Sequence, residues 1–148
     1  MPGLEDLYRE IILDHHRNPR NRGALEPPAA HAIGHNPLCG DEIEVYLQVV
    51  GGVVADVKVG GQGCSISQSS ASMMSQAVKG KPVDEVRALV QRFKGMLGIV
   101  DEEGNPIEGD AGVKLGDLEA LQGVAKFPVR IKCAVLSWNT LIDALSQA

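Results

Sequence analysis

The chain has 148 residues, of which 44% are hydrophobic and only 3% aromatic, and its formal net charge is −5. This length predicts a single domain spanning residues 1–148 with a core of adequate size. The acidic balance and the scarcity of aromatic residues argue against nucleic-acid binding, which depends on clustered cations and stacking platforms. No segment approaches the roughly 18 apolar residues that span a bilayer, so we expect a cytoplasmic protein that does not bind membranes.

The N-terminal part of the chain predicts one helix followed by an arm. Apolar residues between Leu4 and Ile12 recur at helical spacing, and Asn18–Gly23 ends this pattern. His15 and His16 follow the predicted helix and are expected on the surface or in contact with a partner protein. Residues 24–38 carry three prolines and little periodicity, which indicates an extended arm.

The middle of the chain predicts a β-hairpin. Over residues 42–59, apolar and polar side chains alternate on both sides of Gly51-Gly52, which is typical of two half-buried strands joined by a tight turn. Apolar periodicity then predicts four helices: one from Ser65 to Gly80, one opened by Pro82, a short one at about residues 115–124 and a last one containing Ala134 to Leu145. Residues 101–112 are acidic and rich in glycine, which indicates a surface loop.

The three cysteines have surroundings that are unusual for buried, inert thiols. Cys39 shares a turn containing proline and glycine with Asp41, Cys64 ends a glycine-rich stretch, and Cys133 follows two cationic side chains. Because the hairpin is antiparallel, Asp41 and Cys64 are expected at the same end of the sheet, with a helix N-terminus beside Cys64. In a reducing compartment, three cysteines favour metal binding or thiol chemistry over a disulfide framework.

These four residues fit a zinc site. Zinc takes tetrahedral thiolate and carboxylate ligands, so Cys39, Asp41, Cys64 and Cys133 would form a complete set. The neighbouring cations would partly offset the negative charge of such a complex. The spacing contains no C-x-x-C pair, however, and it equally allows three unrelated cysteines, one or two of them buried as small hydrophobic residues.

Four stretches of the chain form a characteristic series: Leu7-Tyr8 with Asp14-His15 and Asn18-Pro19-Arg20-Asn21-Arg22-Gly23; Asn36-Pro37-Leu38-Cys39-Gly40-Asp41; Gly63-Cys64-Ser65-Ile66-Ser67 with Ser69-Ser70-Ala71-Ser72; and Pro128-Val129-Arg130-Ile131-Lys132-Cys133-Ala134. In this order they resemble the IscU/SufU/NifU N-terminal-type iron-sulfur cluster assembly proteins over nearly the whole chain. The resemblance implies a small α+β fold (SufE/NifU-like), with an antiparallel three-stranded sheet, helices packed on it and the cysteines together at one exposed end.

The resemblance also implies partners and cofactors. Members of the family receive persulfide sulfur from a cysteine desulfurase (SufS/IscS-type), carry zinc or a transient 2Fe–2S cluster, and serve iron-sulfur acceptor proteins or a downstream scaffold. Lys132 stands where scaffold-type IscU proteins have a histidine, and a segment is added between Cys64 and Cys133. The chain therefore looks closest to the SufU-type branch, in which three cysteines and an aspartate hold zinc.

For a SufU-type protein, the resemblance assigns Cys39 as the sulfur acceptor, with Asp41, Cys64 and Cys133 keeping zinc in place. Arg130 matches a basic position of the family near the site, and an ordinary surface arginine is the alternative. For a scaffold, the cysteines would instead bind iron or a transient 2Fe–2S cluster that passes to apo-proteins, with Asp41 as a labile ligand and Cys133 as a candidate sulfur acceptor. Whether the protein is a sulfurtransferase or a carrier without enzymatic activity stays open.

Two more distant functions are a structural zinc module and a cysteine hydrolase. The zinc module would use the same ligands for folding alone. The hydrolase would pair one thiol with a histidine base, for which the candidates are His15, His16, His31 and His35.

Overall fold

The computed structural model describes residues 4–37, 40–107 and 112–148, so Cys39 and part of the acidic loop lie outside the described residues. The helices are α1 (Leu4–Arg17), α2 (Ser65–Val78), α3 (Val83–Met96), a 3₁₀ helix (Gly116–Lys126) and α4 (Pro128–Gln147), and the strands are β1 (Ala30–Asn36), β2 (Asp41–Val50) and β3 (Val53–Gln62). These elements confirm the predicted hairpin and helices. The short helix predicted before the last one has 3₁₀ geometry.

The three strands form one antiparallel sheet in the order β1-β2-β3. This confirms the α+β class with a small three-stranded sheet. The interpretation of residues 24–38 as an extended arm is wrong for its second half, which forms β1. This strand shows little hydrophobic periodicity because α4 packs closely over it: a Cβ atom added to Gly34 would collide with the hydroxyl of Thr140. Small residues therefore stand where a typical strand carries large apolar ones.

The register of the sheet brings three chain segments to one end. Gly51-Gly52 turns β2 back into β3, with φ angles of 60° and 77° that fit a two-residue hairpin. Asn36 pairs with Asp41 across β1 and β2, and Glu42 pairs with Gln62 across β2 and β3. The end of β1, the start of β2 and the end of β3 therefore meet, which confirms the expectation that Asp41 and Cys64 lie at the same end of the sheet.

The core lies between one face of the sheet and helices α2 and α4. Ile43, Val45 and Leu47 of β2 point inward and are each at most 1% exposed. Phe93 of α3 stacks on Trp138 of α4, with ring centroids 4.3 Å apart. In the described part of the chain, no helix has both the length and the apolar character needed to cross a bilayer.

The position of His15 differs from the prediction. His15 and His16 lie in the last turn of α1 rather than after it, and His15 is almost completely buried. Its Nδ1 atom is 2.8 Å from the hydroxyl oxygen of Ser72 in α2. Because α1 packs against α2, this imidazole meets a polar partner inside the protein, whereas His16 is exposed as expected.

Candidate metal centre

Asp41 is the first residue of β2 and is only 1% exposed. Its Oδ1 atom accepts a hydrogen bond from the backbone N–H of Cys64 at 2.8 Å. Among the described residues, no salt bridge reaches this carboxylate. Because burying a carboxylate is costly unless it is paired or coordinates a metal, Asp41 is a candidate ligand for a cation.

Cys64 occupies the N-cap position of α2. A helix N-terminus stabilises negative charge beside it, so this position suits a thiolate ligand, as predicted. Gly63 makes the arrangement possible, because a Cβ atom there would collide with the Asp41 carboxylate and the Ser67 hydroxyl. The glycine-rich stretch thus brings the backbone close to another group, and that group is the carboxylate of Asp41.

Cys133 lies in the second turn of α4 and is completely buried. Its Sγ atom is 3.8 Å from Nδ2 of Asn36 and 3.6 Å from the carbonyl oxygen of Val129. Cys133 was expected at an exposed end of the fold, and its exposure is the part of that expectation that is wrong, because α4 packs against β1 and β2. Cys64, by contrast, is partly exposed.

The structure brings Asp41, Cys64 and Cys133 together from three separate elements. One ligand atom from each residue lies within 4.8 Å of the others, and Sγ of Cys64 is 3.9 Å from Oδ2 of Asp41. Tetrahedral zinc, with bonds of roughly 2.0–2.3 Å, separates its ligand atoms by about 3.3–3.8 Å. The described ligand atoms are slightly farther apart than this, so a small inward shift of the side chains would bring two sulfurs and one carboxylate oxygen to the spacing that zinc requires. Cys39, the fourth predicted ligand, lies outside the described residues.

Arg130, which was predicted to support the site, is exposed in the first turn of α4. It lines a surface groove of about 600 Å³ together with Ser65 and Ile66, the two residues that follow Cys64. Two further cations, Arg9 and Lys126, also line this groove. A positively charged surface therefore lies beside the metal centre.

Two of the histidines, His15 and His31, contact other groups of the structure. Among the described residues, the metal-ligating cluster contains no histidine. His15 contacts α2, as described above, and His31 stacks on Tyr46 with ring centroids 4.2 Å apart. The described contacts of these two imidazoles are therefore with groups other than the described thiols.

Asn36 is the residue of this site that sequence reasoning missed. It is the last residue of β1, is 6% exposed and directs its side-chain amide toward Sγ of Cys133. The sequence signal was present, since Asn36 begins the stretch that leads to Cys39 and Asp41. Its role could not be inferred because the strand that orients it was not predicted.

Comparisons with known proteins agree with this geometry. Residues 7–134 match the family described as NifU-like N terminal domain. The chain is 47% identical over 144 residues to the zinc-dependent sulfurtransferase SufU of Bacillus subtilis (strain 168), covering 97% of this chain and 92% of that protein. It is 39% identical over 145 residues to the iron-sulfur cluster assembly scaffold protein IscU of Streptococcus pyogenes serotype M1, covering 98% and 86%. The crystal structure of the N-terminal part of a nitrogen-fixing NifU-like protein from Brucella abortus superposes with a TM-score of 0.80 at 30% identity, covering 97% and 95%.

Proposed function

The chain belongs to the family of NifU-like N-terminal domains, and we propose that it serves iron-sulfur cluster assembly as an acceptor of sulfur. A cysteine desulfurase delivers persulfide sulfur to Cys39 at a zinc site formed by Cys39, Asp41, Cys64 and Cys133. The observation that carries this proposal is the convergence of the last three residues, whose ligand atoms lie within 4.8 Å of one another. The relative from Bacillus subtilis, named a zinc-dependent sulfurtransferase, supports the choice of zinc and of sulfur transfer.

The described residues would hold the metal in complementary ways. In Asp41, Oδ1 accepts a hydrogen bond from the N–H of Cys64, and Oδ2, 3.9 Å from Sγ of Cys64, is the oxygen available to a metal. Cys64 offers a partly exposed thiolate at a helix N-terminus, and Cys133 offers a buried one. Zinc bound here supplies one chemical effect, which is to keep the thiolates deprotonated and protected until they exchange.

Sulfur transfer at Cys39 is a thiol exchange. The Cys39 thiolate attacks the terminal sulfur of the desulfurase persulfide, the donor S–S bond breaks, and the donor cysteine leaves as a thiolate. A new S–S bond forms on Cys39, so the sulfur changes partner without net oxidation or reduction. We expect the sulfur to pass from Cys39 to an iron-sulfur acceptor protein or a downstream scaffold.

Arg130 has a supporting role in this proposal. Its exposed guanidinium lines the groove beside Cys64, where it is available to carboxylates of a docked desulfurase or to a displaced thiolate. A guanidinium suits either task because it donates charge-assisted, often bidentate hydrogen bonds. An ordinary surface arginine is the alternative.

A scaffold for a transient 2Fe–2S cluster is the second candidate function, and the relative from Streptococcus pyogenes, named a scaffold protein, favours it. The same cysteines would bind the iron, with Asp41 as the labile oxygen ligand. The complete burial of Cys133 argues against this residue as the first sulfur acceptor, because a buried sulfur cannot meet a persulfide on another protein without rearrangement.

The test combines metal analysis with persulfide detection. The protein is purified without oxygen, and its zinc, iron and acid-labile sulfide are measured. It is then incubated with cysteine and a cysteine desulfurase, and persulfides are located by mass spectrometry. The variants are Cys39→Ala and Asp41→Ala, and Asp143→Ala at an exposed position of α4 is the matched control.

We expect one zinc per chain and no sulfide in the wild type and in Asp143→Ala. Asp41→Ala should bind zinc at least about 10-fold more weakly, because a ligand is lost. Cys39→Ala should abolish persulfide formation on the protein. Iron with sulfide would establish the scaffold function instead, and a chain without any metal would contradict both candidates.

A further inference from the structure

The two described thiols of the metal centre have different surroundings. Cys64 is partly exposed at the start of α2, and the contact described for its sulfur is with the carboxylate of Asp41. Cys133 is completely buried, and the side-chain amide of Asn36 donates a hydrogen bond toward its sulfur at 3.8 Å. Each sulfur lies near an acceptor oxygen, the carbonyl of Val129 for Cys133 and the carboxylate of Asp41 for Cys64, and the described side-chain donor to Cys133 is the amide of Asn36.

The backbone fixes the position of this amide. Asn36 ends β1 and pairs in register with Asp41, the carboxylate ligand at the start of β2. It is only 6% exposed, so its side chain is enclosed beside the sulfur of Cys133. Strand β2 thus carries the candidate metal ligand Asp41. The neighbouring strand β1 carries Asn36, which donates a hydrogen bond toward a second candidate ligand, Cys133.

An N–H donor changes the chemistry of a thiolate. It withdraws electron density from sulfur, which stabilises the anion and makes it a weaker nucleophile. The asparagine amide has no competing acid–base equilibrium near neutral pH, so it remains a donor there. A thiolate that accepts such a hydrogen bond stays bound to the metal while other thiolates react.

We propose that Asn36 is a positioning residue that keeps Cys133 as a permanent metal ligand and so confines sulfur exchange to the other cysteines. This inference rests on the metal site of the proposed function. Burial of Cys133 and its amide donor act in the same direction: the first excludes a partner's persulfide, and the second lowers the reactivity of the sulfur.

The experiment compares Asn36→Ala and the nearly isosteric Asn36→Asp with the wild type. Asn139→Ala, at an exposed position on the same helix as Cys133, is the matched control. Zinc affinity is measured by competition with a chelator, and cobalt(II) is bound in place of zinc to record its thiolate-to-metal charge-transfer band. Circular dichroism of the metal-free proteins reports whether each variant folds.

We expect zinc affinity to fall about 10- to 100-fold in Asn36→Ala, and further in Asn36→Asp, where a carboxylate replaces the N–H donor. The charge-transfer band should move to lower energy, because a thiolate without its donor is more electron-rich. With zinc bound, alkylation mapped by mass spectrometry should accelerate at Cys133 and stay unchanged at Cys64. A residue with a purely structural role would change neither the band nor the site of alkylation.

Two results separate this proposal from the proposed function. If the wild type binds zinc and both variants keep its affinity and its charge-transfer band, the role of Asn36 is wrong and the metal site stands. If the wild type binds neither zinc nor cobalt, the metal site itself is wrong, and Asn36 has no ligand to position. If Asn36→Ala does not fold, the zinc affinity and charge-transfer band of Asn36→Asp decide the test.

Discussion

Among single residues, His15 is expected to make the stability of the folded protein depend on pH. It is 1% exposed, and burial is the main cause that holds its pKa below the ordinary value of 6.5. The charge of Arg20 acts in the same direction, whereas the carboxylates of Asp117 and Asp14 oppose it. The hydrogen bond to Ser72 therefore joins α1 to α2 through an imidazole that is neutral at physiological pH.

The sign of the resulting pH dependence follows from proton binding. In the unfolded chain His15 takes up a proton near pH 6.5, whereas in the folded protein it does so at lower pH. As the pH falls through about 6.5, the unfolded state binds more protons, so the free energy of unfolding decreases. We expect the melting temperature of the metal-free protein to fall between about pH 7.5 and pH 5.5, and to fall less steeply in His15→Gln.

His16→Gln is the matched control for this prediction, because His16 adjoins His15 in α1 but is exposed. It should keep the wild-type dependence of melting temperature on pH. Identical slopes for the wild type and His15→Gln would show that this imidazole does not make the folded state sensitive to pH.

The residues of the site differ in how far the sequence could predict them. The convergence of Asp41, Cys64 and Cys133 was predictable because thiols and carboxylates are chemically distinctive candidate ligands and the hairpin places two of them together. The roles of Asn36 and His15 depend on contacts with Cys133 in α4 and with α2. Such contacts are set by packing between distant segments, so no local pattern predicts them.

Among whole elements, α2 is held to its neighbours by serine hydroxyls as well as by apolar packing. Ser69 donates a hydrogen bond to the carbonyl oxygen of Ile12 in α1 at 2.8 Å. Ser70 donates to the carbonyl oxygen of Ala134 in α4 at 2.5 Å and accepts the indole N–H of Trp138 at 3.1 Å. The small side chains let the helices approach closely, and each hydroxyl satisfies a buried polar group of a neighbouring helix.

Replacing Ser70 tests this arrangement. Ser70→Ala leaves the buried indole N–H of Trp138 and one carbonyl oxygen without this partner, so we expect it to lower the free energy of unfolding by about 1–3 kcal/mol. Urea denaturation measures the change. Ser146→Ala, at an exposed position near the end of α4, should stay within about 0.5 kcal/mol of the wild type. A loss in Ser70→Ala as small as that of Ser146→Ala would mean that the buried hydroxyl contributes little.

The elements also differ in how well local sequence specifies them. The hairpin of β2 and β3 was predictable because alternation and the Gly51-Gly52 turn are both local signals. β1 was not, because close packing of α4 demands small residues at positions such as Gly34. The family resemblance supplied the third strand that periodicity alone did not reveal.

For the molecule as a whole, the candidate metal centre brings together segments that are distant along the chain. Asp41 begins β2, Cys64 caps α2 and Cys133 lies inside α4, so one ion bound to all three would join the sheet to both helices that cover it. These ligands converge only after folding, because the unfolded chain does not hold them within bonding distance of one point. A ligand that binds the folded state preferentially stabilises it by mass action.

Zinc should therefore raise the stability of the whole fold. At a free zinc concentration about 100-fold above Kd, the expected gain is about 2.7 kcal/mol, less any contribution from zinc binding to the unfolded cysteines. For a chain of this size the gain corresponds to a melting temperature higher by about 5–11 °C, measurable by scanning calorimetry with and without chelator. Magnesium is the control ion, because it prefers octahedral oxygen coordination and should leave the melting temperature unchanged. If zinc binds but the melting temperature does not change, the unfolded chain must bind zinc as tightly as the folded protein does. The site would then not depend on folding to bring β2, α2 and α4 together.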